Sequence, residues 1–236
     1  MDTAALLRQS QTFLDYVTQW EASLPTLALS GVAADPARVA VIAVDMTNGF
    51  CHSGALASPR VKNLIAPILR LMESAYRAGV RHFVLPQDTH EPDAVEFGQF
   101  PPHCVRGTAE AETVPEIKAL PFYSEMAVLP KNSISSSLSA GLEPWLQAHP
   151  GVDTFIVVGD CTDLCTYQLA MYLRLRANAA QLRQRIVVPA EAVDTYDLPV
   201  ETARAIGAVP HPGDLLHLIF LYSLMLNGVE VVRAIR

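Results

Sequence analysis

Apolar positions in this chain come in short unbroken runs separated by helically spaced ones. The first run is VAVIAVD, Val39 to Asp45, closed by a carboxylate. A run with no polar alternation suits a strand buried on both faces. VRHFVLP (Val80–Pro86), MAVLPK (Met126–Lys131), TFIVVGD (Thr154–Asp160), RIVVPA (Arg185–Ala190) and VEVV (Val229–Val232) repeat the pattern. Between most of them lie helical patterns, one from about Val61 to Ala78 and another in TDLCTYQLAMYLRLR. Strands alternating with helices predict an α/β fold. The expected form is a three-layer α/β/α sandwich around a mainly parallel sheet of roughly six strands. Residues 1–37 read as a helical extension, with Leu6, Leu7, Phe13, Leu14, Val17 and Trp20 on roughly helical spacing. Residues 38–236 read as the α/β domain. LLHLIFLYSLML, Leu215–Leu226, is too short to span a bilayer and is expected as a buried helix.

The polar residues that close those runs carry the chemistry. Asp45 ends the first, Gln87 and Asp88 follow the second, Lys131 ends the third, and Cys161 and Cys165 follow the fourth. In an open parallel sheet the carboxyl ends of the strands share one edge, where ligands bind. An acid, a cation and a thiol that are far apart in sequence are thereby expected to meet.

Thr162 or Asp163 is a candidate N-cap for the helix after the fourth strand, which puts Cys165 in its first turn. Free N–H groups and the helix dipole there favour a thiolate, the reactive form. Cys161 lacks that placement. The alternative is that both cysteines are small buried hydrophobes. Asp45 is placed to take a proton from a thiol, and Lys131 to support both charges. Cys–Asp–Lys is a coherent set for covalent acyl transfer.

A second cluster lies in QDTHEPDAVEFGQFPPHCVRGT, Gln87–Thr108. Asp88 and His90 are two residues apart, so in an extended segment they face the same way. Glu96 and His103 follow. Two imidazoles and two carboxylates suit a divalent ion such as zinc, iron or manganese. On spacing alone a polar surface loop is the default reading.

Composition narrows the classes. Half of the 236 residues are hydrophobic and 17% are charged, so disorder is not expected. The net charge is −7 with no Lys/Arg run, so neither nucleic acid nor membrane is an expected partner. Four unevenly spaced cysteines do not form a secreted disulfide framework, and the start MDTAALLRQS is not a signal peptide. A cytoplasmic setting is expected.

On these residues the chain resembles the cysteine hydrolase branch of the isochorismatase-like superfamily, and within it the nicotinamidases. Asp45 and Phe50 in VDMTNGF, Lys131 in LPKNSISS and Cys165 in GDCTDLC match its three catalytic motifs. The resemblance implies a cis Asp160–Cys161 bond and an oxyanion hole from the backbone N–H groups of Cys161 and Cys165. It also implies a metal site. D-x-H gives Asp88 and His90, FPPHCVRGT gives His103, and Glu96, seven residues before His103, stands where some members use Glu. Glu91 and Asp93 are rivals for that ligand. The implied ion is zinc first, with iron or manganese as alternatives, and it orients a pyridine ring between Phe50 and Phe100. The phenylalanines fit core packing equally well. The implied activity is hydrolysis of a small planar carboxamide, nicotinamide to nicotinate and ammonia, by a homo-oligomer acting on a small molecule. Carbamoyl, maleamate-like and pyrazinamide-like amides use the same triad, and a non-catalytic binding member is a further alternative. Thr47 and Gly49 depart from the family's frequent Gln and acid. The segment Asp194–Asp214 is longer than usual and reads as a lid or an oligomer contact, with His211 as a loop residue.

Overall fold

A computed structural model describes residues 2–139 and 141–236. Six strands form the central sheet: β1 Val39–Val44, β2 His82–Asp88, β3 Ala127–Lys131, β4 Thr154–Asp160, β5 Arg185–Pro189 and β6 Glu230–Val232. Their order is β3-β2-β1-β4-β5-β6, and every pairing is parallel. A two-residue strand, Val193–Asp194, adds to β4 beyond β5. Each expected strand is present, with ends displaced by no more than two residues.

β1 shows why the chain forms layers. All six of its residues are buried. Val39, Val41 and Ala43 join the core on one face, and Ala40, Ile42 and Val44 join the other. Complete burial of a Val or Ile side chain contributes about 1.5–3 kcal/mol. On the first face lies α2, Ile65–Arg77, through Ile65, Ile68, Leu71, Met72 and Ala75. The helical pattern expected from Val61 is in two pieces, a single turn at Pro59–Lys62 and then α2. The second face carries α3 Leu142–Ala148, α4 Cys165–Ala179 and α6 Gly213–Leu226, with the short α5 Val200–Ile206 before α6.

The N-terminal helix α1, Thr3–Ala22, is capped by the Asp2 carboxylate. It lies on α6, where Phe13, Tyr16 and Trp20 meet Tyr222 edge-on. Thr26–Leu27 then pairs in parallel with Ala234–Ile235, tying both chain ends together. α6 corrects one expectation. Only Gly213, Leu221 and Leu224 are buried, while Leu215 and Leu226 are exposed. Its apolar run is wider than the face that the sheet and α1 cover. No helix among the described residues is long and apolar enough to cross a membrane.

The sheet order reverses between β1 and β4, and their carboxyl ends form the crevice in which such folds bind ligands. Gly159 makes the close approach there possible. Its φ is +108°, and a Cβ would lie 2.1 Å from the Val44 carbonyl oxygen.

Candidate active site

Three strand ends bring Asp45, Lys131 and Cys165 together. Asp45 follows β1 with a left-handed backbone, φ 55°. Its Oδ1 accepts from the Asp88 N–H at 2.7 Å, which locks it against the end of β2. Lys131 ends β3 and is fully buried. Its Nζ lies 2.8 Å from Asp45 Oδ2, pairs with Asp88 Oδ1, and lies 3.5 Å from Cys165 Sγ. Cys165 opens α4, so its N–H is one of those that a helix leaves without an internal acceptor. The Asp160–Cys161 peptide bond is cis, as the resemblance implied.

The electrostatics depart from the sequence reading in one respect. Helix start and Lys131 were grounds for expecting a thiolate. Burial outweighs Lys131, and with the nearby Asp45 and Asp88 charges it pushes the Cys165 pKa well above the ordinary thiol value. Cys165 therefore rests as a thiol. Burial, with the Asp88 charge, raises Asp45 to about 6 against the opposing pull of Lys131. Burial also works against the Lys131 charge, but Asp45 and Asp88 outweigh it and hold Lys131 protonated. Cys161 is likewise held as a thiol by burial and by Asp160.

The proposed helix caps also differ. Neither Thr162 nor Asp163 caps α4, which has no side-chain cap. Thr162 Oγ1 bonds His217 Nδ1 at 2.9 Å. Asp163 instead accepts from Thr195 Oγ1 at 2.6 Å and bonds His211 Nε2 at 2.8 Å. His211 is thus a loop residue, as expected, but a buried one paired with Asp163.

Asp88, His90 and His103 form a buried second cluster beside the first. His90 Nε2 lies 3.4 Å from Asp88 Oδ1, and His103 Nε2 lies 3.7 Å from Asp88 Oδ2. Each Nδ1 has its own acceptor, Asn132 Oδ1 at 3.1 Å for His90 and the Pro101 carbonyl at 2.8 Å for His103. Those bonds turn both Nε2 atoms toward Asp88, the arrangement that outer partners impose on metal-ligating histidines. His90 Nε2 is buried and has no hydrogen-bond partner among the described residues. An orphaned imidazole nitrogen next to a carboxylate and a second imidazole fits a divalent cation. Glu96 stands at the margin. Its Oε1 is 3.8 Å from His90 Nε2, while Oε2 accepts from the Ile134 N–H at 3.2 Å. Glu91 is turned away to Arg106, and Asp93 is exposed.

One cavity touches both clusters. Phe50, Leu56, Phe100, Ile134, Leu164 and Tyr196 line it, with Asp88, Glu96, His103, Asp160, Cys161 and Cys165 as its polar or reactive members. Both expected phenylalanines are there. Tyr167 bonds Ser223 and Trp145 stacks on His149, so neither ring faces the cavity. The sequence reading missed Tyr196, whose loop has no periodicity. It also passed over Asp160, a buried carboxyl with one oxygen that has no hydrogen-bond partner among the described residues. That residue closes an apolar run just as Asp45 does, and the same signal applied to both.

The chain matches the isochorismatase domain over residues 39–206. It is 31% identical to nicotinamidase 1 of Arabidopsis thaliana over 218 residues, covering 84% of this chain and 86% of that protein. The N-carbamoylsarcosine amidase of Thermoplasma acidophilum has the same fold, with a TM-score of 0.62 and 26% identity, covering 83% of this chain and 96% of that one. So does the pyrazinamidase of Pyrococcus horikoshii, solved in complex with zinc, with a TM-score of 0.62 and 20% identity over 83% of this chain and 99% of that one. With its three-layer fold and this match, the chain belongs to the isochorismatase-like hydrolase family.

Proposed function

We propose that this protein is an amidohydrolase that cleaves a small planar carboxamide, nicotinamide to nicotinate and ammonia, through a thioester on Cys165. One observation carries the reading. Lys131 Nζ sits within 3.5 Å of both the Asp45 carboxylate and the Cys165 sulfur, and Cys165 lines a cavity that also reaches Asp88 and His103 of the second cluster. The 31% identity to a nicotinamidase over most of both chains supports it.

In this mechanism Asp45, as carboxylate, takes the thiol proton of Cys165 as sulfur attacks the carboxamide carbon. A resting thiol suits that step, because the proton moves only when the substrate is in place. The N–H groups of Cys161 and Cys165 receive the developing oxyanion. Protonated Asp45 returns the proton to nitrogen, the C–N bond breaks, and ammonia leaves. Asp45 then deprotonates water, which attacks the thioester carbon. The carboxylic acid departs and Cys165 regains its proton. Lys131 stays charged throughout and balances whichever partner is anionic. Asp88, His90 and His103, with Glu96 beside them, would hold a divalent cation, zinc first. Bound there, the cation supplies a Lewis acid for a ring nitrogen. Phe50 and Phe100 flank the planar ring.

The likeness to an N-carbamoylsarcosine amidase favours a second reading, a carbamoyl amide on the same triad. Ammonia release measured on nicotinamide, pyrazinamide and N-carbamoyl amino acids separates the two. Turnover of nicotinamide that disappears in Cys165→Ala is the expected result. Turnover confined to carbamoyl compounds would overturn the nicotinamide reading.

A further inference from the structure

The segment after β5 is fastened to the turn that carries the two cysteines. Asp163, between Cys161 and Cys165, accepts from Thr195 Oγ1 at 2.6 Å and bonds His211 Nε2 at 2.8 Å. The other nitrogen of His211 meets the Tyr196 carbonyl at 2.9 Å, and its ring stacks on the Tyr196 ring, with centroids 3.8 Å apart and planes 19° from parallel. Leu198 and His211 exchange both backbone hydrogen bonds, at 2.8 and 2.9 Å. Asp197 Oδ1 accepts from the Gly213 N–H at 2.8 Å, and Arg60 Nε donates to the Thr195 carbonyl at 2.9 Å. Burial works against the Asp163 charge, yet the bonds from His211 and Thr195 hold its pKa below the ordinary value. A segment tied at this many points is a wall rather than a swinging lid.

What the wall does follows from two cavities. The inner one holds the candidate active site. An outer one is bordered by residues 55–59, 99–101 and the 196–209 stretch. Leu56, Phe100 and Tyr196 line both. They are the partition between vestibule and inner pocket, and Tyr196 is the one whose ring is backed by a buried pair.

We infer that Tyr196, with Leu56 and Phe100, is a size-selecting gate for the substrate, and that the Asp163–His211 pair is the positioning device that fixes its ring. The gate admits a single flat ring and rejects fused or branched amides. Removing the Tyr196 ring merges the two cavities. Removing His211 frees the same ring from its backing, so the two changes act through one element and do not add.

This inference rests on the inner cavity being the amide site, and the test has one arm free of that assumption. In the first arm, kcat/KM is measured for nicotinamide and for quinoline-3-carboxamide, the same amide with a fused second ring. Tyr196→Ala is expected to raise the quinoline-to-nicotinamide ratio about 10-fold or more, the scale of a pocket-size discrimination. Tyr196→Phe keeps the ratio. His211→Ala shifts it in the same direction, and the Tyr196→Ala/His211→Ala double variant goes no further than Tyr196→Ala. In the second arm, alkylation of Cys165 by iodoacetamide and by N-phenylmaleimide is followed by peptide mass mapping. Tyr196→Ala is expected to speed the bulky reagent about 10-fold more than the small one, whatever the natural substrate. Turnover of no carboxamide with this alkylation pattern intact would sink the proposed activity and leave the gate standing. Equal changes for small and bulky probes, in either arm, overturn the gate. So does a His211→Ala effect that adds to that of Tyr196→Ala.

Discussion

The two polar clusters of the pocket share Asp88 and are built on opposite principles. In the triad, Lys131 touches Asp45, Asp88 and the Cys165 sulfur, so one buried cation serves two carboxylates and a thiol. That cluster balances its charges within the polypeptide, although Asp45 Oδ2, 2.8 Å from Lys131 Nζ, makes no aligned hydrogen bond among the described residues. In the Asp88–His90–His103 cluster both Nδ1 atoms are engaged, and the inward Nε2 of His90 has no partner among the described residues. A buried polar atom left unpaired costs about 1–3 kcal/mol, so this corner fits a bound cation. On the proposed function, bond cleavage and the holding of a cation would be separable roles on adjacent strand ends. Breaking one should leave the other measurable.

The largest expected effect is on the triad. Cys165→Ala and Asp45→Asn are each expected to lower kcat/KM by about 10⁴-fold or more, as nucleophile and base removals do. Circular dichroism and metal content should stay at wild-type values, because neither residue belongs to the Asp88–His90–His103 group. Loss of bound metal in Cys165→Ala would mean that the two clusters are one unit.

Next comes the Asp88–His90–His103 corner. His90→Ala or His103→Ala is expected to remove stoichiometric metal, read by elemental mass spectrometry. It should lower turnover of pyridine carboxamides by about 10²-fold, within the span of a lost orienting interaction. Alkylation of Cys165 should remain within a few-fold of wild type, since Lys131 and Asp45 are untouched. Asn132→Ala probes the same corner from outside. It frees the His90 Nδ1–H and should cost about 10-fold in metal affinity.

The pH dependence sharpens the contrast from the triad side. Asp45 must be ionised to accept the thiol proton, and burial has raised its pKa to about 6. Activity is therefore expected to rise with pH through about 6 and to fall about tenfold per unit below it. The same shift has a stability sign. An acid whose folded pKa is raised contributes stability below its unfolded value, near 4, and loses it as pH rises toward 6. Asp45→Asn should remove that component from a denaturation profile measured between pH 4 and 7. A kcat/KM limb unchanged in position when Asp45 is replaced would exclude Asp45 as its source.

Legibility in the sequence follows the same division. The strands, their parallel pairing and the meeting of Asp45, Lys131 and Cys165 were all readable, because continuous apolar runs and strand-end polar residues obey a topology rule. Phe50, Phe100 and the D-x-H pair were readable through motif resemblance. Three things were not. The protonation of Cys165 depends on how deeply three strand ends bury it, and no local pattern encodes depth. The route of the Asp163 side chain was read as a helix cap because Asp before a helix is a cap signal. In the fold it is claimed by His211, 48 residues away. Tyr196 enters the pocket from a segment without periodicity, held by contacts that only the tertiary structure creates.

The smallest expected effect concerns Glu96, the residue on the border between the two principles. Its carboxylate is divided, with Oε1 toward His90 Nε2 at 3.8 Å and Oε2 fixed by the Ile134 N–H at 3.2 Å. Glu96→Gln keeps an oxygen for that N–H and removes the charge. If Glu96 completes the cation site, Glu96→Gln should weaken metal affinity several-fold, by about 1 kcal/mol, while thermal stability without metal barely moves. Glu96→Ala should weaken it similarly and also release the Ile134 loop, a further loss of about 1 kcal/mol in the metal-free protein. Titration of zinc into both variants against wild type distinguishes the outcomes. Equal zinc affinity in all three proteins would assign Glu96 to the loop alone and leave Asp88, His90 and His103 as the whole protein contribution to the site.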